Sequence, residues 1–127
     1  MGQYLIDNNV ISNYFLANFS ENAIYFVSEI IDQTPNVSVI TEIEALSWHA
    51  PDVMYEIIIK EFIENANILP LSKEVVSECV KIRRNIKIKT PDAIIAATAI
   101  VYGFTLITSD LGFKRIPNLR IINPFDL

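Results

Sequence analysis

A chain of 127 residues, 51% hydrophobic and with three glycines, can bury about two thirds of the surface its unfolded form exposes. That excludes disorder and fibrous repeats and predicts one globular domain over residues 1–127. The formal charge of −5 argues against a surface that is basic throughout, the usual mark of nucleic-acid binding.

The elements alternate. Residues 3–6 read as a strand and about 10–16 as a short helix. Ser20 is a candidate N-cap for a helix in which Ala23, Ile24, Val27, Ile30 and Ile31 recur at helical spacing until Pro35. Residues 37–40 form the second strand, followed at once by a helix from Thr41 to about His49. Pro51 and Asp52 start another helix through Glu64, with Val53, Met54, Ile57, Ile58 and Phe62 as its apolar set. After a strand over 68–71, Ser72 caps a helix expected to bury Val75, Val76, Cys79, Val80 and Ile82. Thr90-Pro91 starts the next helix, proline being favoured at the first position, and Gly103 stops it. Residues 105–108 and 119–122 are the last strands. This order predicts an α/β domain with a mostly parallel sheet.

The longest apolar run, 93–107, is too short to cross a bilayer and contains Thr98, Gly103 and Thr105. The chain opens into strand-like Tyr4-Leu5-Ile6 with no basic leader, and Cys79 is the single cysteine. Both point to a reducing, cytoplasmic setting.

In such sheets, sites form beyond the carboxyl ends of the strands. Asp7 follows the first strand, Glu44 is expected in the first helical turn after the second, Asp110 lies just past the strand over 105–108, and Asp92 opens a helix. Each acid also has a structural role available. Thr41 and Glu44 form a Thr-x-x-Glu capping box, Asp92 complements a helix dipole, and Asp7 and Asp110 occupy turn positions.

Four converging carboxylates would repel one another without a cation. One His and one Cys, His49 and Cys79, do not make a zinc set. An oxygen-only set suits Mg2+ or Mn2+, and such an ion activates water for phosphodiester hydrolysis. Asn9, Thr108 and Ser109 could add polar groups to the metal shell or to a phosphate, or simply hold turns.

Charge is unevenly divided. Residues 1–59 hold eight acids and no Lys or Arg, whereas residues 60–127 hold ten bases and seven acids. Lys81, Arg83, Arg84, Lys87 and Lys89 fall within nine residues just before Asp92. They read either as a solvated helix face or as a phosphate-contacting stripe, with Arg83, Arg84, Lys87 and Lys89 as the candidate phosphate contacts. A Gly-x-Ser-x-Gly elbow, a Walker loop and a dinucleotide fingerprint are all missing from the sequence. Trp48 reads as core or interface, and Cys79 as an inert apolar-face residue.

The stretches Leu5-Ile6-Asp7-Asn8-Asn9-Val10-Ile11, Ser38-Val39-Ile40-Thr41-Glu42-Ile43-Glu44, Thr90-Pro91-Asp92-Ala93-Ile94-Ile95-Ala96-Ala97-Thr98-Ala99 and Leu106-Ile107-Thr108-Ser109-Asp110 with Phe113 resemble PIN-domain ribonucleases, in particular VapC-like toxins. The resemblance covers essentially the whole chain. It implies a three-layer α/β/α fold with a five-stranded parallel sheet and magnesium held by Asp7, Glu44, Asp92 and Asp110. It further implies endonucleolytic cleavage of RNA, a homodimer, and a cognate antitoxin that covers the site. The alternatives are a non-catalytic scaffold or RNA-binding module on the same fold, and an aspartate-nucleophile phosphatase. The latter would place Asp-x-Asp where this chain has Asp7-Asn8-Asn9.

Overall fold

The computed structural model describes residues 3–127. Five parallel strands, β1 (Tyr4–Ile6), β2 (Asn36–Ser38), β3 (Asn67–Leu69), β4 (Thr105–Ile107) and β5 (Ile121–Ile122), form one sheet in the order β3-β2-β1-β4-β5. Six α-helices flank it: α1 (Asn8–Phe15), α2 (Glu21–Ile31), α3 (Val39–Leu46), α4 (Val53–Asn65), α5 (Lys73–Asn85) and α6 (Thr90–Tyr102).

Side-chain alternation along the strands divides the core in two. Leu5, Leu69 and Leu106 face one layer with Val75, Cys79 and Ile82 of α5 and the small residues Ala93, Ala96, Ala97 and Ala99 of α6. Their neighbours Ile6 and Ile107 face the other, with Val37, Val10, Ala23, Ala45, Ile59 and Phe62 of β2 and α1 to α4. Burial on both faces is the condition under which short parallel strands are stable, and it yields the expected three layers.

The helix starts follow local chemistry. Ser20 accepts from Ala23 N and Ser72 from Val75 N, as the sequence predicts. Gly103 ends α6 in the left-handed conformation, φ +71°. Pro91 lies at the second helical position, since α6 begins at Thr90 with Lys89 at its cap.

Three expectations need correction. The second strand ends at Ser38, whose side chain accepts from Thr41 N and caps α3. Thr41 is therefore inside the first turn, the Thr41–Glu44 capping box does not form, and Glu44 lies in the second turn. In α4, Val53, Met54 and Ile57 are exposed at 66%, 63% and 61%; the buried stripe is Ile59, Phe62 and Ile63. In α5, Val76 and Val80 are exposed, and Val75, Cys79 and Ile82 are the buried set. Both helices carry two apolar stripes, and periodicity alone does not say which one faces the sheet.

Candidate active site

The chain leaves β1 toward β2 and β3, then returns to place β4 on the opposite side of β1. This reversal opens a crevice at the carboxyl ends of β1 and β4. Asp7 N donates to Ile107 O at 3.0 Å and Thr108 N to Ile122 O at 3.1 Å, so both residues continue the sheet's ladder into the crevice.

Asp7 is 5% exposed and caps α1. Its Oδ1 accepts from Asn8 N at 2.8 Å. Its Oδ2 accepts from Thr108 Oγ1 at 2.8 Å and from Asn9 Nδ2 at 3.2 Å. Burial pushes its carboxyl above the usual range, the Thr108 and Asn8 donors pull it back, and the charges of Asp92 and Asp110 push it up again.

Glu44, half-buried on α3, is also raised, first by desolvation and then by the charges of Asp7 and Asp92. Asp92, in the first turn of α6, is raised by desolvation and by Asp110, while Lys89 and Arg115 act in the opposite direction. Asp110 is exposed and caps the 3-10 turn Leu111–Arg115, its Oδ1 accepting from Gly112 N at 2.8 Å. The four predicted acids thus share one electrostatic neighbourhood. Among the described residues, no three Asp, Glu, His or Cys side chains stand in ligating geometry. The coupling between the acids is one of charge, and the described side chains do not close into a metal shell.

The three candidate supporting residues take different parts. Asn9 bridges Asp7 and Thr108 through Nδ2, and its Oδ1 accepts from Ser109 N at 3.1 Å. Thr108, buried, connects the Asp7 carboxylate to Asp110 N. Ser109 takes part through its backbone.

The basic stripe straddles the end of α5 and the segment leading to α6, so it is not a single helix face. Arg83 Nε donates to Ile88 O at 3.2 Å, Arg84 and Lys87 are exposed, and Lys89 stands beside Asp92. Sequence spacing does not point to Arg115, which the 3-10 turn brings to the same place. Its Nε donates to Gly112 O at 3.0 Å and its Nη1 to Lys87 O at 2.8 Å. The only sequence signal is a basic pair, Lys114-Arg115, four residues past Asp110. His49 is exposed, Trp48 is half-buried against the α1 to α4 core, and burial raises the Cys79 thiol.

Solved structures share this arrangement of strands and helices. A toxin-antitoxin complex from Klebsiella pneumoniae is 26% identical, with TM-score 0.72 over 98% of this chain and 99% of that one. VapBC2 from Rickettsia felis, bound to a promoter DNA fragment, is 23% identical with TM-score 0.75 over 94% and 97%. FitAcB from Neisseria gonorrhoeae is 23% identical with TM-score 0.73 over 98% and 99%. No curated protein matches the sequence. The PIN domain family model matches residues 4–119, nearly the whole of the sheet and its helices, and the chain belongs to the PIN domain family.

Proposed function

We propose that this protein is a magnesium-dependent endoribonuclease that cleaves RNA phosphodiester bonds and serves as the toxin of a toxin–antitoxin pair. The observation that carries the reading is electrostatic: the charges of Asp92 and Asp110 raise Asp7, those of Asp7 and Asp92 raise Glu44, and that of Asp110 raises Asp92, each in addition to desolvation.

The donor set fits a hard divalent cation, because every candidate ligand is a carboxylate oxygen. Mg2+ keeps much of its water and is held by few carboxylates; Mn2+ has the same ligand chemistry. Asp7, Glu44 and Asp92 would hold the ion, with Asp110 at its edge. When bound, the cation supplies an activated water and neutralises charge developing on the phosphate.

The chain's own residues divide the remaining work. Thr108 and Asn8 donate to Asp7 and oppose the rise that its burial causes. Lys89 and Arg115, beside Asp92, offer positive charge to an RNA backbone approaching the mouth, and Arg83, Arg84 and Lys87 extend that charge away from it.

Apolar side chains left uncovered support a protein-bound existence. Ile43, Leu46, Val53, Met54 and Ile57 are exposed on α3 and α4, and Val76 and Val80 on α5. An antitoxin and a second copy of the chain are the partners in this reading. No helix among the described residues is long and apolar enough to cross a membrane, in keeping with action in the cytoplasm.

The test is RNA cleavage by the purified, antitoxin-free chain, with and without EDTA, beside Asp7→Asn. Cleavage in Mg2+ that is lost on chelation and in the variant is expected. Wild-type protein that leaves a broad panel of tRNA and rRNA uncut would overturn the reading.

A further inference from the structure

We propose that Asn9 is a positioning residue: its carboxamide clasps the ends of β1 and β4 so that Asp7 meets a divalent cation through Oδ1, and it contacts neither metal nor phosphate itself. The inference rests on the metal-dependent reading above and deepens it.

A count of donors and acceptors carries it. Asn9 Nδ2 has two hydrogens, and it has two acceptors, Asp7 Oδ2 at 3.2 Å and Thr108 Oγ1 at 3.3 Å. Asn9 Oδ1 faces the Ser109 N–H at 3.1 Å. The orientation of the amide is dictated by these partners, since a flipped group would set NH2 against the Ser109 donor. Thr108 Oγ1 is equally committed: it donates once, to Asp7 Oδ2 at 2.8 Å, and accepts twice, from Asn9 Nδ2 and from Asp110 N at 3.1 Å.

Asp7 Oδ2 therefore receives two hydrogen bonds and has both lone pairs in use. Oδ1 receives one, from Asn8 N, and keeps a second lone pair. A carboxylate locked on one oxygen and open on the other is aimed, and Asn9 is the group that ties this aim to the 108–110 turn carrying Asp110. Asn9 is itself anchored at the start of α1, where its carbonyl accepts from Asn13 Nδ2 at 2.7 Å.

The experiment is calorimetric titration of Mn2+ into the full chain at fixed pH, for wild type, Asn9→Ala and Asn9→Ser, with melting curves alongside. Asn9→Ala is expected to bind Mn2+ about 10- to 100-fold more weakly, as when partners that orient a ligand are removed. Asn9→Ser, with one short donor, should fall between. A folded variant that binds within about twofold of wild type overturns the proposal. So does failure of both variants to fold, because the clasp would then be structural only. Wild-type protein that binds no Mn2+ is a separate outcome and overturns the metal-dependent reading itself.

Discussion

Replacing Thr108 by Val keeps the shape of the side chain and deletes a hydroxyl with three partners. The largest loss is the bond to Asp7 Oδ2 at 2.8 Å, a buried donor to a charged acceptor worth about 1.5–3 kcal/mol. The Asp110 N–H loses its acceptor, but Asp110 is exposed and water can take that place, for about 0.5–1 kcal/mol. Asn9 Nδ2 still reaches Asp7, and the new methyl gains about 0.8 kcal/mol of burial. The net cost is about 1–3 kcal/mol at neutral pH. For 127 residues the unfolding entropy is about 0.27 kcal/mol/K, so Tm should fall by about 4–12 °C. The penalty depends on Asp7 being charged. Burial raises Asp7 in the folded state, so it protonates on acidification before an unfolded carboxylate does, and the gap between Thr108→Val and wild type should narrow as pH falls. Thr108→Ser, which keeps the hydroxyl, should lose about 1 kcal/mol for its missing methyl. Calorimetric melting at pH 7.5 and 4.5 in EDTA measures all three. A Val variant that melts within about 2 °C of wild type at pH 7.5, or a gap that does not change with pH, refutes the reasoning.

Glu44→Gln should abolish RNA cleavage and stabilise the metal-free protein at neutral pH. A carboxyl raised in the folded state, as Glu44 is, contributes stability that is fully present below its unfolded value near about 4.3 and is lost as pH rises through the folded value. Urea midpoints in EDTA should therefore be higher for the variant at pH 7.5 and should converge toward pH 4, and added Mg2+ should stabilise wild type alone. A variant less stable than wild type at pH 7.5 in EDTA contradicts this. Arg115→Ala removes both bonds of the staple to Gly112 O and Lys87 O and one cation from the mouth. Binding of single-stranded RNA to the EDTA-treated protein should weaken, and the slope of log K against log salt should shrink by about 0.7. An unchanged slope would show that Arg115 meets no phosphate.

Much of this was legible in the sequence because the decisive signals are local. Thr90-Pro91 and Gly103 bracket α6, Ser20 and Ser72 cap their helices, and the strand–helix alternation fixes the parallel sheet. The errors arise where one residue serves two elements or where two faces compete. Ser38 ends β2 and caps α3 at once, which shifts the helix frame by three residues and moves Glu44 out of the first turn. The change matters for the site, because it removes helix capping as an explanation for Glu44. In α4, Val53, Met54 and Ile57 follow the same spacing rule as Ile59, Phe62 and Ile63, and packing against the sheet selects the second set. Arg115 and the Asn9–Thr108 bridge join residues 28 to 99 positions apart. The first is set by how the 3-10 turn after β4 packs on the loop before α6, the second by the pairing of β1 with β4, and no local pattern encodes either.

The site has two electrically different sides, and the difference constrains what can bind where. Asp92 is relieved by Lys89 and Arg115, so its side of the mouth already carries positive charge. Asp7 and Glu44 feel burial and other acids, and their relief comes from neutral hydrogen-bond donors at Asp7 and from none at Glu44. Neutral donors oppose the desolvation of one carboxylate but bring no positive charge to balance a second. The acids without a cationic neighbour are therefore the one after β1 and the one on α3, and a divalent cation would gain most beside them. An RNA phosphate would be repelled from that side and drawn to the side of Lys89 and Arg115. Cation and phosphate would then meet across the mouth, which places Asp92 between them. Asp92→Asn should accordingly weaken Mn2+ binding less than Glu44→Gln does, while reducing RNA cleavage as severely. Equal loss of Mn2+ affinity in the two variants would show that the cation sits centrally and that the two sides do not differ.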